Sequence, residues 1–337
     1  MQAPFAIKTL QVDNLALRPA TMDNLPAAVA LFNVCSLEQV GALEFSLEDV
    51  RTEWISPGFN LATDTRIILD ESGAAVGYME VWDADPHVRL YAWGRVHPDF
   101  RGRGLGTRLL WWAETRARQA VPRAPTGARV SLLTNTISSD LAGLRLYANR
   151  GFKLTRHFLR MEVSFAAPPP EPQWPQGLTV RALLQGEERA VLCADRDAFQ
   201  DHWGHVDRPV EEEYKRLMHF IEHDPQFDPE LWFLAWDGDE IAGFSLCSSS
   251  AAGHPDTGWV NTLGVRRPWR RRGLALALLY HSFGAFYRRG RRKAALGVDA
   301  QSLTGATRLY EKAGMHSVRQ MDTYEKVLRS GADLNIH

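Results

Sequence analysis

The sequence predicts a mixed α/β fold that is built twice, once in each half of the chain. The chain has 337 residues, and at roughly 150 residues per domain this length suggests two domains. Segments with strand and helix patterns alternate along each half. Their order in the first half returns in the second, with Arg18 matching Arg181 and Tyr147 matching Tyr310.

A proline-rich stretch separates the two halves. It reads "AAPPPEPQWPQG" and covers residues 166–177. Proline lacks a backbone donor and disfavours helix in the residue before it, so this stretch is typical of an extended, semi-rigid linker. We therefore predict an N-terminal domain at residues 1–165 and a C-terminal domain at residues 178–337.

The composition is that of an ordinary globular protein, with 45% hydrophobic and 23% charged residues. A net charge of −1 gives no reason to expect nucleic acid or an anionic membrane as a partner. No apolar run approaches the roughly 18 residues of a membrane span, and "MQAPFAIKTL" does not resemble a signal peptide. Cys35, Cys193 and Cys247 are too few and too scattered for a disulfide framework or a zinc site. We expect a cytoplasmic monomer or homodimer without a metal.

The first half shows a regular succession of patterns. Thr21 and Asp23 are candidate caps of the first helix, and Pro26 falls in its first turn. Glu71-Ser72-Gly73 is a turn between two strands. The predicted elements are a short strand near 15–21, a helix at 21–34, two strands within 65–82, a strand at 89–96, a helix at 106–119, a strand at 128–135, a helix at 140–150 and a closing strand at 156–165.

The second half repeats this order. Asp237-Gly238-Asp239 takes the place of the hairpin turn, and "RQMDTYEKVL" at 319–328 is the closing strand. "TMDNLPAAVALFNV" in the first half is followed by an irregular stretch, and the halves differ most in this region.

A glycine-containing turn lies between the fourth strand and the next helix in each half. The first copy is "RGRGLG", with Arg101, Gly104 and Gly106, and the second has Arg270, Gly273 and Ala275. Small residues there let the backbone approach a ligand, and the unsatisfied N–H groups of the helix start favour a phosphate. The spacing does not match a dinucleotide fingerprint, and the lysine of a P-loop is absent. The alternative is a helix start that needs tight packing.

Each half also carries a later segment, "LYANRGF" in the first and "LYEKAGM" in the second. With the preceding turn, these segments resemble the GCN5-related N-acetyltransferase (GNAT) family, and the resemblance covers nearly the whole chain. It implies that acetyl-CoA lies in a V between the splayed fourth and fifth strands. The turn would bind the pyrophosphate, and the fourth strand would pair with the pantetheine arm.

The resemblance assigns two sets of residues to CoA. In the second half these are Leu263, Gly264, Val265, Arg270, Arg271, Arg272, Gly273, Leu274 and Ala275. In the first half they are Arg95, Val96, Arg101, Gly102, Arg103, Gly104, Leu105 and Gly106. The basic runs 266–273 and 288–293 are attributed to the phosphates of CoA and to a solvated helix end, rather than to nucleic-acid binding.

The chemistry of acetyl transfer indicates the catalytic candidates. A backbone N–H can stabilise the oxyanion, and a tyrosine can protonate the leaving thiolate. The resemblance indicates Tyr310 for this role, with Tyr147 as its counterpart, although both could be core aromatics. For the general base the options are Asp299, which ends the fifth strand, and Asp256 before the fourth. Both could equally be surface acids.

The acceptor pocket is expected in the stretch after the first helix of the second half, where Asp201, His202, Trp203 and His205 suit a cationic or sugar-like molecule. His202 and His205 lack a third metal ligand in the sequence. Two-domain members of the family, such as the mycothiol synthases, have a catalytic C-terminal half and an N-terminal half that holds acetyl-CoA. This chain departs from them, because Trp259 stands where a glutamate is expected and Gly297 where a tyrosine is expected.

Together these features predict an N-acetyltransferase that uses acetyl-CoA without a metal. The expected acceptor is the primary amine of a small molecule, such as an amino sugar, an aminoglycoside-like compound or a mycothiol-precursor-like compound. Two alternatives remain. One is a non-catalytic protein that binds acetyl-CoA or a small amine, and the other is an enzyme that acetylates a protein N-terminus or lysine.

Overall fold

Two similar sets of strands and helices follow one another along the chain. The computed structural model describes residues 15–302 and 305–334. The first set consists of β1 (Leu17–Arg18), α1 (Leu25–Val40), α2 (Leu47–Trp54), α3 (Leu61–Asp64), β2 (Thr65–Leu69), β3 (Ala75–Trp82), β4 (Arg89–Val96), α4 (Leu105–Arg118), β5 (Val130–Ile137), α5 (Leu141–Asn149) and β6 (Lys153–Ser164).

The second set has the same order. It consists of β7 (Thr179–Ala182), α6 (Glu188–Phe199), α7 (Val210–His223), β8 (Trp232–Asp237), β9 (Glu240–Ser248), β10 (Thr257–Val265), α8 (Leu274–Arg288), β11 (Lys293–Asp299), α9 (Ala306–Lys312) and β12 (His316–Arg329). The predicted mixed α/β fold, repeated in two halves, is confirmed.

Helices α2 and α7 lie in the stretches where no element was predicted, although both begin at recognisable signals. Ser46 caps α2 and accepts a hydrogen bond from the Asp49 N–H at 3.0 Å. Pro209 precedes α7, and three glutamates occupy its first turn, where negative charge favours a helix start. Local capping patterns therefore contained information about both helices.

All strands of the described chain form one 12-stranded sheet, in the order β1-β2-β3-β4-β5-β12-β6-β11-β10-β9-β8-β7. The two closing strands are exchanged between the halves. β12 pairs with β5 of the first half, and β6 pairs with β11 of the second. β6 and β12 also pair with each other at the centre of the sheet. The proline-rich residues 166–177 form no helix or strand.

Helices cover both faces of the sheet in each half. Along β8, Phe233 and Ala235 belong to the same apolar cluster as α8, whereas Trp232 and Leu234 point to the cluster that includes α6. This alternation is what a strand with two buried faces requires. In the first half, α4 and α1 occupy the corresponding two faces. None of the helices in the described ranges has the length and apolar composition that crossing a membrane requires.

The fourth and fifth strands of each half separate towards one end. β4 and β5 are parallel and pair from Arg89 with Ser131 as far as Ala92 with Thr134, although both strands continue beyond this point. β10 and β11 pair as far as Val260 with Leu296 and then separate in the same way. The described chain therefore contains two V-shaped openings in the sheet.

The two openings differ in one backbone feature. In β10 the register against β9 shifts between Val260 and Thr262, so Asn261 is an extra residue, a β-bulge. β3 and β4 keep a continuous register from Gly77 with Val96 to Trp82 with Tyr91. A bulge bends the strand and interrupts pairing locally, and here it lies where the second opening begins.

Candidate active site

A cavity fills each V and extends to the turn that follows it. The cavity of the second half has a volume of about 840 Å³ and that of the first half about 420 Å³. Predicted residues that line the larger cavity are Leu263, Gly264, Val265, Arg270, Arg271, Gly273, Leu274, Ala275, Asp299, Tyr310, Asp201, His202 and Trp203. Those that line the smaller one are Arg95, Val96, Arg101, Gly102, Gly104, Leu105, Gly106 and Tyr147. Arg103, Arg272 and His205 lie outside these linings.

The turns have the geometry of an anion site. Gly104 and Gly273 precede α4 and α8 in the left-handed conformation, with φ of +82° and +86°. The first hydrogen bonds within α4 and α8 are donated by the backbone N–H groups of Arg108 and Ala277. The N–H groups of residues 105–107 and 274–276 come before these bonds and have no acceptor within their helix. A Cβ on either glycine would meet no described atom within 4 Å, so a ligand has room to approach the backbone there.

Arg271 replaces a glycine in the second turn. It has φ of +62°, while Gly102, at the matching position of the first turn, has φ of +74°. A side chain in this conformation costs about 1 kcal/mol or more. Arg271 is exposed and lines the cavity. Strained residues of this kind concentrate at functional sites.

The first arginine of each turn is engaged by the protein itself. Arg270 donates to Asp201 at 2.8 Å and to the carbonyls of Val265 at 3.0 Å and Ala198 at 2.8 Å. Arg101 pairs in the same way with Glu38, at 2.6 Å. Both arginines therefore connect the turn to the preceding helix. The two guanidinium groups of Arg270 and Arg267 hold the pKa of Asp201 at about 2.

The two tyrosines differ in their hydrogen bonds. Tyr147 has partners, because its hydroxyl lies 3.1 Å from Thr134 Oγ1 and 3.4 Å from the Asn135 carbonyl. Leu296, which pairs with Val260 as Thr134 pairs with Ala92, takes the place of Thr134 in the second half and has no hydroxyl. The described residues offer the Tyr310 hydroxyl no hydrogen-bond partner. Burial raises the pKa of Tyr310 to about 12, so its hydroxyl is protonated at neutral pH and can donate.

The two candidate bases lie in different places. Asp299 lines the cavity, but its Oδ1 accepts from the Gln301 N–H at 2.9 Å, and its Oδ2 lies 3.6 Å from Arg156 Nε. Asp256 lies before β10, at the end remote from the V, and is 3.6 Å from Lys293. At about 3.3 Å per residue, it is roughly 20 Å from Leu263. Asp256 is therefore too distant to act as the base.

The loop after α6 places Trp203 between the two halves. Two guanidinium carbons lie over its ring, Arg89 at 4.1 Å and Arg156 at 4.9 Å from the centroid. Gly204 follows with φ of +75°, and a Cβ there would overlap Arg89. Burial lowers the pKa of His202, which keeps this imidazole neutral. The backbone N–H of His205 donates to the backbone carbonyl of His202 at 3.0 Å.

Strand exchange completes the larger cavity with residues of the first half. Arg156 and Phe158 lie on β6 and line the cavity of the second half. Arg156 donates to Gln301 at 2.6 Å. The sequence analysis missed both residues, because nothing in a closing strand shows which fifth strand it will join.

The space between the first helix and the fourth strand is filled by side chains in the first half and open in the second. Phe32 and Trp93 lie 4.8 Å apart between their ring centroids, within an aromatic cluster that also contains Tyr78 and Phe45. In the matching register, Asp195 replaces Phe32 and Thr262 replaces Trp93. Gly264 likewise replaces Arg95, since Tyr78 pairs with Arg95 and Phe244 pairs with Gly264. Smaller and more polar side chains explain the larger cavity.

The two departures from the mycothiol synthase pattern have different positions. Trp259 pairs with Ala295 in the closed part of the sheet, and Arg160 lies 5.3 Å from its ring centroid. Gly297 lines the cavity. Within residues 15–302 and 305–334, the His, Cys, Asp and Glu side chains form no group of three that could hold a metal ion.

Comparisons with known proteins agree with this geometry. The model of the acetyltransferase (GNAT) family matches residues 29–152 and again residues 192–315. A mycothiol acetyltransferase of Streptomyces scabiei is 32% identical over 251 residues, which is 74% of this chain and 75% of that protein.

Two solved structures are also similar. A GCN5-related N-acetyltransferase from Sphaerobacter thermophilus is 35% identical, with a TM-score of 0.77 over 95% of this chain and 98% of that one. A tandem GNAT protein from the clavulanic acid biosynthesis pathway is 15% identical, with a TM-score of 0.72 over 93% of this chain and 98% of that one, and this likeness concerns the fold alone. The chain therefore belongs to the acetyltransferase (GNAT) family, as an acyltransferase that carries the family's domain once in each half.

Proposed function

We propose that the C-terminal half transfers an acetyl group from acetyl-CoA to the primary amine of a small molecule, and that the N-terminal half binds CoA without turnover. One observation carries this proposal. Only in the second half does the described chain combine a V, a glycine turn and a cavity-lining tyrosine with open space on the acceptor side. In the first half, aromatic rings occupy that space.

The residues of the second half fit CoA. The N–H groups of Leu274 and Ala275 lie at the positive end of α8 and suit the pyrophosphate. Arg271 adds charge beside them. The edge of β10 that no longer pairs with β11, near Leu263, has backbone groups for the amides of the pantetheine arm. When bound, acetyl-CoA supplies the activated acetyl group.

The tyrosine and the strand then perform the chemistry. A backbone N–H of β10 stabilises the oxyanion that forms on the acetyl carbonyl. The hydroxyl of Tyr310 donates its proton to the leaving sulfur, and its high pKa keeps that proton in place until then. Asp299 holds Arg156 beside Trp203, which shapes the acceptor end of the cavity.

The acceptor end favours a small molecule over a protein chain. Trp203 lines the cavity, and its contacts with Arg89 and Arg156 hold the loop after α6 at the cavity wall. Phe158 and Phe199 add aromatic walls that suit a sugar ring. The similarity to proteins named mycothiol acetyltransferases supports a mycothiol-precursor-like acceptor as one candidate.

Calorimetry with acetyl-CoA on the full chain tests the proposal, using one variant for each turn. Ala275→Glu and Thr107→Glu each place a carboxylate in the first turn of a helix, where it suits the helix but repels phosphate. We expect two sites in the wild type and one in each variant. The formation of free CoA is then measured with glucosamine, cysteamine, a polyamine or an aminoglycoside as the acceptor. This activity should disappear only in Ala275→Glu.

Each other outcome has a definite meaning. Absence of acetyl-CoA binding at both turns would overturn the whole proposal. Turnover that disappears in Thr107→Glu and persists in Ala275→Glu would move catalysis to the N-terminal half. Two sites without CoA release on any amine would favour the alternative of a binding protein. Release on a peptide N-terminus alone would favour a protein acetyltransferase.

A further inference from the structure

Asp195 is an acidic residue of the larger cavity that the roles described so far do not use. It lies on α6, one turn before Phe199, and lines the cavity of the second half. The other two acids of that lining are engaged, Asp201 by Arg270 at 2.8 Å and Asp299 by Arg156 at 3.6 Å. Among the described residues, the Asp195 carboxylate has neither a hydrogen-bond donor nor an ion-pair partner.

The first half shows what this position contains where no acceptor space exists. Phe32 on α1 lies six residues before Glu38, as Asp195 on α6 lies six residues before Asp201, which follows the end of that helix. Both Glu38 and Asp201 bind the first arginine of a turn. Phe32 is almost fully buried within the aromatic cluster. Asp195 is half-buried at the wall of the open cavity, and a carboxylate that is partly removed from water favours a partner of opposite charge.

The surroundings of Asp195 are poor in positive charge. Burial, together with Glu213 on α7, raises the pKa of Asp195 to about 6. Arg196, the next residue on α6, is itself paired with Asp207 and Glu213. Helix α6 packs on β9 and β10. The titratable residues of β9 are Glu240, which lies 3.9 Å from Arg266, and the buried Cys247. The other titratable and charged groups of the cavity are His202, Tyr310, Arg271 at the turn, and the pairs Asp201–Arg270 and Asp299–Arg156.

We propose that Asp195 binds the ammonium group of the acceptor and removes its proton before the amine attacks. The inference rests on the proposed acetyl transfer in the C-terminal half and assigns its acceptor to cationic primary amines of small molecules. An ionised, unpaired carboxylate beside aromatic walls is suited to such a group. A base that titrates close to neutral pH is also suited to proton removal.

The proton balance is complete with the groups already present. The ammonium gives one proton to the Asp195 carboxylate, which later releases it to solvent. The nitrogen then forms a bond to the acetyl carbon, and the bond from that carbon to sulfur breaks. The nitrogen loses a second proton, and this loss balances the proton that Tyr310 gives to the sulfur.

The test compares Asp195→Asn with Glu211→Gln in the full chain. Glu211 lies on α7 and forms an exposed pair with Arg189 of α6 at 2.7 Å, so its variant removes the same charge near the same helix pair but outside the cavity. Calorimetry measures acetyl-CoA binding, and then the binding of glucosamine and cysteamine to the CoA-saturated protein. The pH profile of kcat/KM is measured with both amines and with methoxyamine, which is already neutral at pH 7.

We expect Asp195→Asn to bind acetyl-CoA as the wild type does, to bind both cationic amines at least about tenfold more weakly, and to lose about 10²-fold or more in kcat/KM. The acidic limb of the profile near pH 6 should disappear. Turnover of methoxyamine should change much less, because this amine has no proton to lose first. Glu211→Gln should behave as the wild type.

Two results would overturn the inference. One is an Asp195→Asn variant that keeps both the amine affinities and the limb near pH 6. The other is a wild type that binds acetyl-CoA but neither cationic amine. Both leave CoA binding intact, so they differ from a failure of the proposed function, in which acetyl-CoA itself would not bind.

Discussion

The hydroxyl groups of Tyr310 and Tyr147 show how one residue type can serve two purposes in matching positions. Both side chains are buried beside a V. The hydroxyl of Tyr147 lies 3.1 Å from Thr134 Oγ1, whereas leucine at the matching position 296 leaves that place near Tyr310 without a hydroxyl. A donor without a partner in the described protein is available to a substrate atom.

This contrast predicts opposite effects for two conservative changes. Tyr310→Phe should lower kcat about 10²-fold, as expected for loss of a general acid, with little change in stability or in the KM for acetyl-CoA. Tyr147→Phe should leave kcat unchanged and reduce the free energy of unfolding by about 1 kcal/mol, because it removes a buried hydrogen bond. Steady-state kinetics and urea unfolding measure both. Equal effects on kcat would contradict the assignment of Tyr310.

Ionisation of the Asp195 carboxyl in the larger cavity affects the free energy of unfolding of the protein. Its folded pKa of about 6 is higher than the ordinary value of 3.8, so folding opposes ionisation of this carboxyl. The cost is absent below about pH 4, grows between pH 4 and 6 as the unfolded chain ionises first, and is constant above pH 6. The carboxylate that we propose as the ammonium-binding group therefore reduces the stability of the free protein.

Removing this charge should stabilise the protein in a pH-dependent way. Above pH 6, Asp195→Asn should increase the free energy of unfolding by up to about 3 kcal/mol, at about 1.4 kcal/mol for each unit of pKa. Near pH 4 the variant and the wild type should be equally stable. Urea unfolding at pH 4.5 and 7.5 measures the difference. A gain of the same size at both pH values would show that ionisation of Asp195 is not its cause.

At the scale of elements, the contact of α8 with β10 positions the turn that would hold the pyrophosphate. Gly258 on β10 faces Phe286 of α8, which is fully buried, and a Cβ on this glycine would overlap the ring. α8 begins at Leu274, directly after the turn. The close approach of helix and strand therefore fixes where the free N–H groups of the helix start lie.

A single methyl group should disturb this contact. Gly258→Ala should lower the free energy of unfolding by about 1–3 kcal/mol, the usual cost of overpacking, and should raise the KM for acetyl-CoA because α8 must move. Gly297→Ala on the neighbouring strand is the matched control, since a Cβ there would meet no described atom within 4 Å. Chemical unfolding compares the two. Similar losses in both variants would mean that contact with Phe286 is not the cause.

At the scale of the whole molecule, the exchanged closing strands join the halves into one structure. β12 lies beside β5, and β6 lies beside β11, so each half completes the sheet of the other. β6 also brings Arg156 and Phe158 to the larger cavity. The N-terminal half therefore contributes directly to the lining of the larger cavity.

Cutting the connection should not separate the halves. If a protease site is placed within residues 166–177 and cleaved, the two pieces should elute together from a gel-filtration column under native conditions, at the position of the intact 37.9 kDa chain. Backbone pairing along β6 and β12 and the buried strand faces hold them. Separation of the pieces in native buffer would contradict this. Cleavage in urea, where the pieces should separate, is the control.

Much of this protein follows from local sequence. The two glycine turns, both "LY" segments and the order of elements were predicted because each depends on residues close together in the chain, through strand and helix periodicity and the need for small residues at a turn. The signals of α2 and α7, Ser46 with Asp49 and Pro209 with its glutamates, were equally local and could have been used.

Other features depended on contacts between residues far apart in the chain. The side chains of Arg101 and Arg270 had been expected at phosphates, yet they bind Glu38 on α1 and Asp201 in the loop after α6. Asp195 was overlooked because its distinction is the lack of a partner, which only the folded arrangement shows.

The sequence by itself determined that the chain contains two acetyltransferase domains, each with a glycine-containing turn before a helix. The tertiary structure decided which sheet each closing strand joins and which half keeps open space for an acceptor. The physical reason is that strand pairing and cavity volume depend on distant residues, such as Asp299 with Phe158 and Phe32 with Trp93. No short-range pattern specifies those pairs, and they form only when the whole sheet assembles.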